Sequence, residues 1–198
     1  KSVETDGIEN VVIAVPRRKD CLNSTNEINK VIQNELLGDV QQSIEGFETN
    51  FKLGAKVMQT VNDYDKNVFN GEIGYITQIG ERYESKKKEE YCVVTYLDIC
   101  GHDKLIEYTK KELTSLSLAY AMTVHKLQGA GRKTVIGIID NTHHQLLDNC
   151  MLYTLLTRAK KRCLLLAEPS AFLQCIRTSH NHRNTWLKSQ TENNYMGE

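Results

Sequence analysis

The sequence predicts an α/β fold in which a parallel-sheet domain is interrupted by a small antiparallel β-barrel. Two observations predict this fold. Apolar runs without polar alternation lie near both ends of the chain, as expected for strands of a parallel sheet. Between them, short β-branched and aromatic runs alternate with turn residues, as in antiparallel strands. The length of 198 residues, 40% hydrophobic and 25% charged, suits one globular domain or two small ones.

The first block of the chain predicts a strand followed by a helix. Val11–Val15 is a short apolar run that Pro16 closes, which indicates a buried strand. Asn23-Ser24-Thr25 supplies an N-cap, and Gly38 supplies a stop signal. Between these signals, apolar residues recur at helical spacing: Ile28, Val31, Ile32 and Leu36.

The middle block, 46–114, predicts the barrel. Its runs of β-branched and aromatic residues are 56–61, 74–79, 91–97 and 104–108. Asn70-Gly71 is a strong signal for a tight turn. The charged segment 81–90 is expected to be a solvated hairpin tip. Four or five short antiparallel strands in about 70 residues favour a small barrel over a parallel sheet.

The last block returns to α/β character. The segments 134–140 (TVIGIID) and 163–167 (CLLLA) predict parallel strands that are covered on both faces. Between them, 148–161 predicts a helix, and Pro169 opens a final helix at its first turn. The apolar side of the helix at 148–161 consists of Met151, Leu152, Leu155, Leu156 and Ala159.

The charge of the chain is unevenly distributed. Lys plus Arg and Asp plus Glu are both 25, so the formal net charge is zero. Residues 118–178 nevertheless contain eight Lys or Arg and three Asp or Glu, a net of +5, which leaves −5 for the remainder. A basic third on a neutral chain fits a binding site for a polyanion, and it equally fits a solvated face.

Other features bound the class of protein. The apolar runs are too short to cross a bilayer, and the polar, acidic start does not resemble a signal peptide. The six cysteines form no CxxC pair, which favours free thiols in a reducing compartment. The histidines lack the spacing of zinc ligands, so no metal site is expected. We therefore expect a cytoplasmic protein without a membrane partner.

Two segments contain residues suited to nucleotide and nucleic-acid chemistry. In AYAMTVHKLQG (119–129), donors from Thr123, His125 and Lys126 can position a phosphodiester backbone. Gln128 and Gly129 offer a side-chain amide and a bare backbone that can approach a nucleotide closely. The alternative is a capped helix with a surface His and Lys.

The second segment is YTLLTRAKKR (153–162). Arg158, held on the predicted helix, can act as an arginine finger that stabilises charge on a transferring γ-phosphoryl group. Lys160, Lys161 and Arg162 are explained as solvated cations near the C-terminus of that helix, where they suit its dipole.

Together, AYAMTVHKLQG and YTLLTRAKKR resemble motifs V and VI of superfamily 1 helicases, and most closely the C-terminal part of RecD-like helicases, the alpha-subunit type of exodeoxyribonuclease V. Further segments resemble the same family: VVIAVPRRKDCLNSTNEINKVIQ, KLGAKVMQTVNDYDKNVFNGEIGYI and NHRNTWL. The resemblance implies a second RecA-like motor domain formed by residues 1–45 and 115–198. Residues 46–114 would form an inserted SH3-like barrel.

The resemblance also implies a role for each matching residue. Thr123, His125 and Lys126 would face single-stranded DNA or couple it to the nucleotide site. Gln128 and Gly129 would lie near the nucleotide. The remaining implied contacts are Arg158 with the γ-phosphate and Arg17 and Arg18 with the DNA backbone.

Three positions depart from the family pattern. Leu127 stands where Ser or Ala is usual, and Gly131 stands where an acidic residue often contacts the ribose. Gly54-Ala55 replaces a frequent Gly-Asp at the barrel entrance. The sequence also contains no GxxxxGK[ST] segment and no acidic motif for Mg²⁺.

These observations lead to one main hypothesis and two alternatives. The chain is expected to be the C-terminal portion of an ATP-dependent DNA helicase that moves 5′→3′ on single-stranded DNA. ATP and Mg²⁺ would bind in the full-length enzyme, at a site completed by its N-terminal RecA-like domain, and the chain alone would bind neither and be inactive. The alternatives are a non-catalytic nucleic-acid-binding module and a subunit of a nuclease complex. A Walker A segment upstream would favour the helicase.

Overall fold

The described residues form a four-stranded parallel sheet, a five-stranded antiparallel sheet and a two-stranded hairpin. The computed structural model describes residues 5–19, 21, 23–84, 87–97, 103–127 and 131–179. In chain order, the strands and helices are β1 (Val11–Val15), α1 (Thr25–Leu36), β2 (Ser43–Glu45), β3 (Asn50–Lys52), β4 (Lys56–Gln59), β5 (Ile73–Glu84), β6 (Lys87–Leu97), β7 (Asp103–Thr109), β8 (Leu116–Leu118), β9 (Ala121–Thr123), β10 (Arg132–Ile139), α2 (Asn149–Leu156), β11 (Ala159–Ala167) and α3 (Pro169–Arg177). Within these residues, no helix is long and apolar enough to cross a membrane.

The parallel sheet has the strand order β11-β10-β1-β9, which confirms the prediction of an α/β fold. β1 pairs with β10 on one side and with β9 on the other. One face packs into a core with Met151, Leu155 and Cys175 of α2 and α3. On β11, Leu164 and Leu166 are 45% and 62% exposed. The prediction that both faces of this strand are covered is therefore wrong for β11.

Helix α1 begins as predicted but buries a different face. Ser24 caps it by accepting a hydrogen bond from the backbone of Glu27 at 3.4 Å. The predicted apolar residue Val31 is 59% exposed, while Asn29 and Gln33 are buried. The amide of Asn29 bonds the backbone of Ala121 on the edge strand β9. Polar residues face inward here because they satisfy backbone groups that would otherwise lack partners.

The helix predicted over 148–161 is shorter in the structure. α2 ends at Leu156, and β11 begins at Ala159 because residues from there onward pair with β10. Lys160, Lys161 and Arg162 are therefore strand residues and not cations at a helix terminus. The guanidinium of Arg162 donates to the carboxylate of Asp6, which also accepts from Thr134 at 2.6 Å. These hydrogen bonds, that of Thr134 first, hold the pKa of Asp6 well below its usual range.

The antiparallel sheet has the strand order β7-β6-β5-β4-β8, and antiparallel pairing in this block was predicted. The charged segment 81–90 lies at the end of the β5–β6 hairpin, as predicted, and its described residues are strand residues that pair out to Glu84 and Lys87. Arg82 bridges to Glu89 at 2.9 Å and Glu107 at 2.5 Å across the neighbouring strands. Opposite charges on paired strands let this polar hairpin remain extended.

The two sheets meet at β4. Met58 packs into the core of the parallel sheet, while Val57 packs into the core of the antiparallel sheet. The buried ammonium group of Lys56 donates to the carbonyl oxygens of Ile8 at 2.7 Å and Val11 at 3.2 Å. One strand of the middle block is thereby joined to the start of β1.

The predicted domain limits, 45/46 and 114/115, stay a prediction. β2 pairs with β3 across the first limit, and β8, just beyond the second limit, pairs with β4. The described cysteines are free thiols, as predicted: Cys21, Cys92, Cys150, Cys163 and Cys175.

Candidate nucleic-acid interface

A groove lies between the carboxyl edge of the parallel sheet and the antiparallel sheet. One wall comes from the loop after β1, the start of α1 and the segment after β9. The other wall comes from β4, β8 and the β2–β3 hairpin. The carboxyl edge of a parallel sheet is where α/β proteins commonly bind ligands, because successive loops converge there.

The loop after β1 is held by the first turn of α1. The backbone N–H groups of Thr25 and Asn26 donate to the carbonyl oxygens of Arg17 at 3.1 Å and Arg18 at 3.3 Å. A helix N-terminus has free N–H groups that need acceptors, and this loop supplies them. Arg18 is exposed and lines the groove as a result.

The segment after β9 places Thr123 and Lys126 on the same wall. Thr123 Oγ1 accepts a hydrogen bond from the backbone of Lys126 at 3.4 Å, and Val124 donates to the carbonyl of Val15 at 3.0 Å. Leu127, which replaces the usual Ser or Ala, is fully buried in the core. The larger side chain anchors this turn from below.

The charge of Lys126 is not balanced by an acid in the part of the chain that the structure describes. Burial, followed by the positive charge of Arg18, lowers the pKa of Lys126. Both causes favour a nearby anion, because an anion would offset the desolvation and the repulsion between the two cations. The arrangement can therefore bind a phosphate-bearing ligand.

Glu48, on the β2–β3 hairpin, is the acid nearest to Arg18 among the described contacts. Its carboxylate accepts from Arg18 at 3.5 Å, from Asn26 at 3.4 Å and from Lys19. The hydrogen bond from Lys19 contributes most to lowering the pKa of Glu48. Glu48 could not be predicted from the sequence, because periodicity carries no signal for a residue at a hairpin tip.

A second group of polar side chains fixes the same edge of the sheet. Asp140, which follows β10, accepts from the side chain of Asn23 at 2.5 Å and from the backbone of Thr142 at 2.8 Å. Burial alone would raise the pKa of Asp140, but these hydrogen bonds hold it below its usual value. The sequence signal for this group was an Asp directly after a buried strand.

The structure brings together three of the predicted DNA-binding residues: Arg18, Thr123 and Lys126. His125 is exposed beside Lys126 but does not line the groove. Arg17 also lies off the groove lining, close enough to the buried His143 to contribute to lowering its pKa, although burial is the main cause. Gln128 and Gly129 lie outside the described residues.

Arg158 lies apart from the groove, in the turn at the amino end of β11. Its guanidinium donates to the carbonyl of Thr154 and to Thr157 Oγ1, both at 3.2 Å. No carboxylate contacts it within the described ranges. A β-carbon at Gly131 would lie 3.1 Å from Cε of Lys160 and 3.4 Å from the Arg158 carbonyl oxygen, so this position packs against the turn.

The residues near Arg158 partly fit a nucleoside triphosphate with a metal ion. A guanidinium without an acidic partner suits a phosphate group. Among the described residues, no cluster of three His, Cys, Asp or Glu could hold a metal ion. The described part of the chain thus offers a cation for the phosphates but no ligand set for Mg²⁺.

Two family models match the chain. Residues 28–96 match the SH3 domain of ATP-dependent RecD-like DNA helicases, and residues 118–166 match the C-terminal domain of UvrD-like helicases. The fold agrees with solved structures of Pif1 helicases. The Candida albicans protein has a TM-score of 0.57 and 16% identity, over 96% of this chain and 51% of that chain.

A Pif1 helicase from Bacteroides, in complex with ADP-AlF3 and single-stranded DNA, has a TM-score of 0.54 and 18% identity. The match covers 95% of this chain and 46% of that chain. The fold and the two matched domains define the C-terminal portion of a superfamily 1 helicase.

Similarity to curated relatives makes the family assignment more specific. The chain is 32% identical over 184 residues to the ATP-dependent RecD2 DNA helicase of Deinococcus radiodurans, a match covering 93% of this chain. It is 28% identical over 157 residues to the RecBCD enzyme subunit RecD of Buchnera aphidicola, covering 76% of this chain. The chain belongs to the RecD-like helicases. It spans 24% of the length of each of these two relatives.

Proposed function

We propose that the chain is the second motor domain of an ATP-dependent DNA helicase and that its groove holds the backbone of single-stranded DNA. The observation that carries this proposal is the position of Lys126. Lys126 lines the groove together with Arg18 and has no acidic partner among the described residues. Cations on one wall of a groove attract phosphates without reading base sequence.

The division of labour follows the predicted domains. Residues 1–45 and 115–198 form the motor domain, and the SH3-like insertion at 46–114 guides the strand along the opposite wall. Thr123, His125, Lys126, Arg17 and Arg18 contact DNA or transmit its position. The resemblance to RecD-like helicases supports movement of the motor along DNA in the 5′→3′ direction.

The nucleotide is shared with a second RecA-like domain of the full-length protein. Arg158, whose guanidinium lacks an acidic partner in the described structure, approaches the γ-phosphate of ATP, and Gln128 and Gly129 lie nearby. Mg²⁺ and the phosphates are held by the N-terminal domain, which supplies the Walker A loop. Two relatives are RecD subunits of the RecBCD enzyme, which supports a nuclease-complex subunit as the alternative.

Lys126→Gln in the full-length protein tests the DNA site. We expect weaker binding of single-stranded DNA, and a plot of log affinity against log salt whose slope is shallower by about 0.7, because one phosphate contact is lost. Lys161→Gln is the matched control, since Lys161 is an exposed lysine of the same basic block that does not line the groove.

ATP hydrolysis and DNA binding by the full-length protein also distinguish a helicase from a binding module without motor activity. DNA-stimulated ATP hydrolysis by the full-length protein supports the helicase. DNA binding that responds to Lys126→Gln, without stimulated hydrolysis, supports the module. Unchanged affinity and salt slope in Lys126→Gln would refute the groove as the DNA site.

A further inference from the structure

We propose that Phe47, at the tip of the β2–β3 hairpin, is a stacking platform for one base of the single strand in the groove. This inference rests on the proposed function. It adds a contact to a base, whereas the cations of the groove contact phosphates. Phe47 lines the groove and is 87% exposed, more than any other large hydrophobic side chain in the described structure. An aromatic ring left in water at a binding groove is available to a flat ligand.

The hairpin holds the backbone of Phe47 in one place. Ile44 and Phe51, on the two strands, are each 2% exposed and pack into the core of the antiparallel sheet. The turn is closed by a hydrogen bond of 3.0 Å from the backbone of Gly46 to the carbonyl of Thr49. Because a closed turn fixes the backbone that carries the ring, little backbone ordering is needed when the ring stacks on a ligand.

Glu48 adds a second constraint on the hairpin tip. Its carboxylate binds Arg18, Lys19 and Asn26, which belong to the opposite wall of the groove. The residue adjacent to Phe47 therefore ties the hairpin to the loop after β1. The ring and the cation of Arg18 are kept at the same end of the groove.

The chemistry around Phe47 favours nucleic acid over a peptide. The cations among the lining residues are Arg18, Lys30 and Lys126. Arg18 pairs with Glu48 at 3.5 Å and Lys30 pairs with Glu27 at 3.0 Å, while Lys126 has no acidic partner among the described contacts. The floor is apolar, formed by Met58, Leu116, Leu118, Ala121 and Met122. A cationic rim with an exposed aromatic ring is the combination that binds single strands, since phosphates contact the cations and bases stack on the ring.

The test uses the full-length protein and single-stranded oligonucleotides. Phe47→Ala should weaken binding about 5- to 150-fold, the range expected for one base stacked on an aromatic ring. Phe47→Trp should retain the affinity, and Phe47→Leu should not, because stacking needs a flat ring. Tyr83→Ala is the matched control, since Tyr83 is 78% exposed on the β5–β6 hairpin.

A scan with abasic sites identifies stacking directly. In the unmodified protein, removing the base at one position of a bound oligonucleotide should weaken binding, and Phe47→Ala should abolish that effect at the same position. Equal affinity of the unmodified protein for all abasic oligonucleotides would overturn the stacking platform, as would retention of affinity in Phe47→Leu.

Failure of this inference differs from failure of the proposed function. If Lys126→Gln weakens DNA binding and Phe47→Ala does not, the groove binds DNA but Phe47 is no platform. If neither variant changes DNA affinity, the groove itself is not the DNA site. Preferential binding of an apolar peptide that responds to Phe47→Ala, with DNA affinity unchanged, assigns the hairpin to a protein partner and overturns the inference.

Discussion

The side-chain amide of Asn23 donates a hydrogen bond of 2.5 Å to Oδ2 of Asp140, which joins the loop after β1 to the end of β10. The two residues come from opposite sides of the middle block in the sequence. Asn23 lies in the same loop region as Arg18, a groove residue. The hydrogen bond between Asn23 and Asp140 therefore supports the loop that carries Arg18.

Asp140→Ala should destabilise the 198-residue chain. The substitution removes the charged acceptor of the partly buried hydrogen bonds from Asn23 and Thr142, which costs about 1–3 kcal/mol. Urea unfolding monitored by circular dichroism measures the loss. Asp103→Ala, at an exposed strand end, is the control and should change stability little. Equal midpoints for the two variants would contradict the role given to Asp140.

Stability should depend on pH through Lys56. Burial, followed by the positive charge of Arg132, lowers the pKa of Lys56 to about 8. The unfolded chain keeps this proton up to a pH of about 10.4. Between these values the unfolded state binds more protons, so the free energy of unfolding rises with pH, by at most about 1.4 kcal/mol per unit.

Lys56→Met isolates this contribution. We expect the difference in unfolding free energy, unmodified chain minus variant, to be larger at about pH 9.5 than at about pH 7. Raising the pH removes a buried charge from the folded state of the unmodified chain only. Other titrating groups cancel in the difference. A difference that stays constant, or falls with pH, would show that Lys56 titrates normally in the folded state.

The parallel strands and the N-cap of α1 could be predicted from sequence because each is a local pattern. Val11–Val15 is a continuous apolar run, and Ser24 precedes the helix at the position a cap requires. The end of α2 could not be predicted in the same way. The helical apolar pattern continues to Ala159, but pairing with β10 takes this residue into a strand.

Only part of the candidate site could be predicted from the sequence, because only part of it lies in a local motif. Thr123 and Lys126 belong to a recognisable motif, so their side chains could be named from the sequence. Phe47 and Glu48 lie in a hairpin whose position in the groove depends on the packing of two sheets. The role of Asn29 could not be predicted, because its side chain bonds the backbone of a strand that is distant in sequence. Hydrophobic periodicity does not encode such bonds.

Gly46→Ala should destabilise the β2–β3 hairpin. A β-carbon at Gly46 would lie 2.7 Å from Cε2 of the buried Phe51 and 2.9 Å from the carbonyl oxygen of Thr49. Neither neighbour is a flexible chain end, so we expect a loss of about 1–3 kcal/mol, as for other overpacked sites. Thermal unfolding measures it, with the exposed Ser43→Ala as control. An unchanged melting temperature would mean that the turn adapts without strain.

Arg158→Ala should depress kcat for ATP hydrolysis in the full-length protein while leaving the fold nearly intact. In the structure, the guanidinium donates only to the carbonyl of Thr154 and to Thr157 Oγ1 among the described contacts, both near in sequence. Its removal breaks no ion pair there, so the melting temperature should change little. An arginine finger stabilises charge that develops in the transition state, and its loss costs on the order of 10³–10⁵-fold in kcat.

The matched variants separate this role from a structural one. Arg158→Lys should remain strongly impaired, since a point charge does not reproduce the planar, two-pronged donor of arginine. Arg177→Ala, an exposed arginine at the end of α3, should hydrolyse ATP normally. Turnover and melting temperature are measured on the same preparation. If Arg158→Ala lowers the melting temperature but keeps turnover per folded molecule within a few-fold of the unmodified protein, Arg158 braces the turn before β11 and is not a finger.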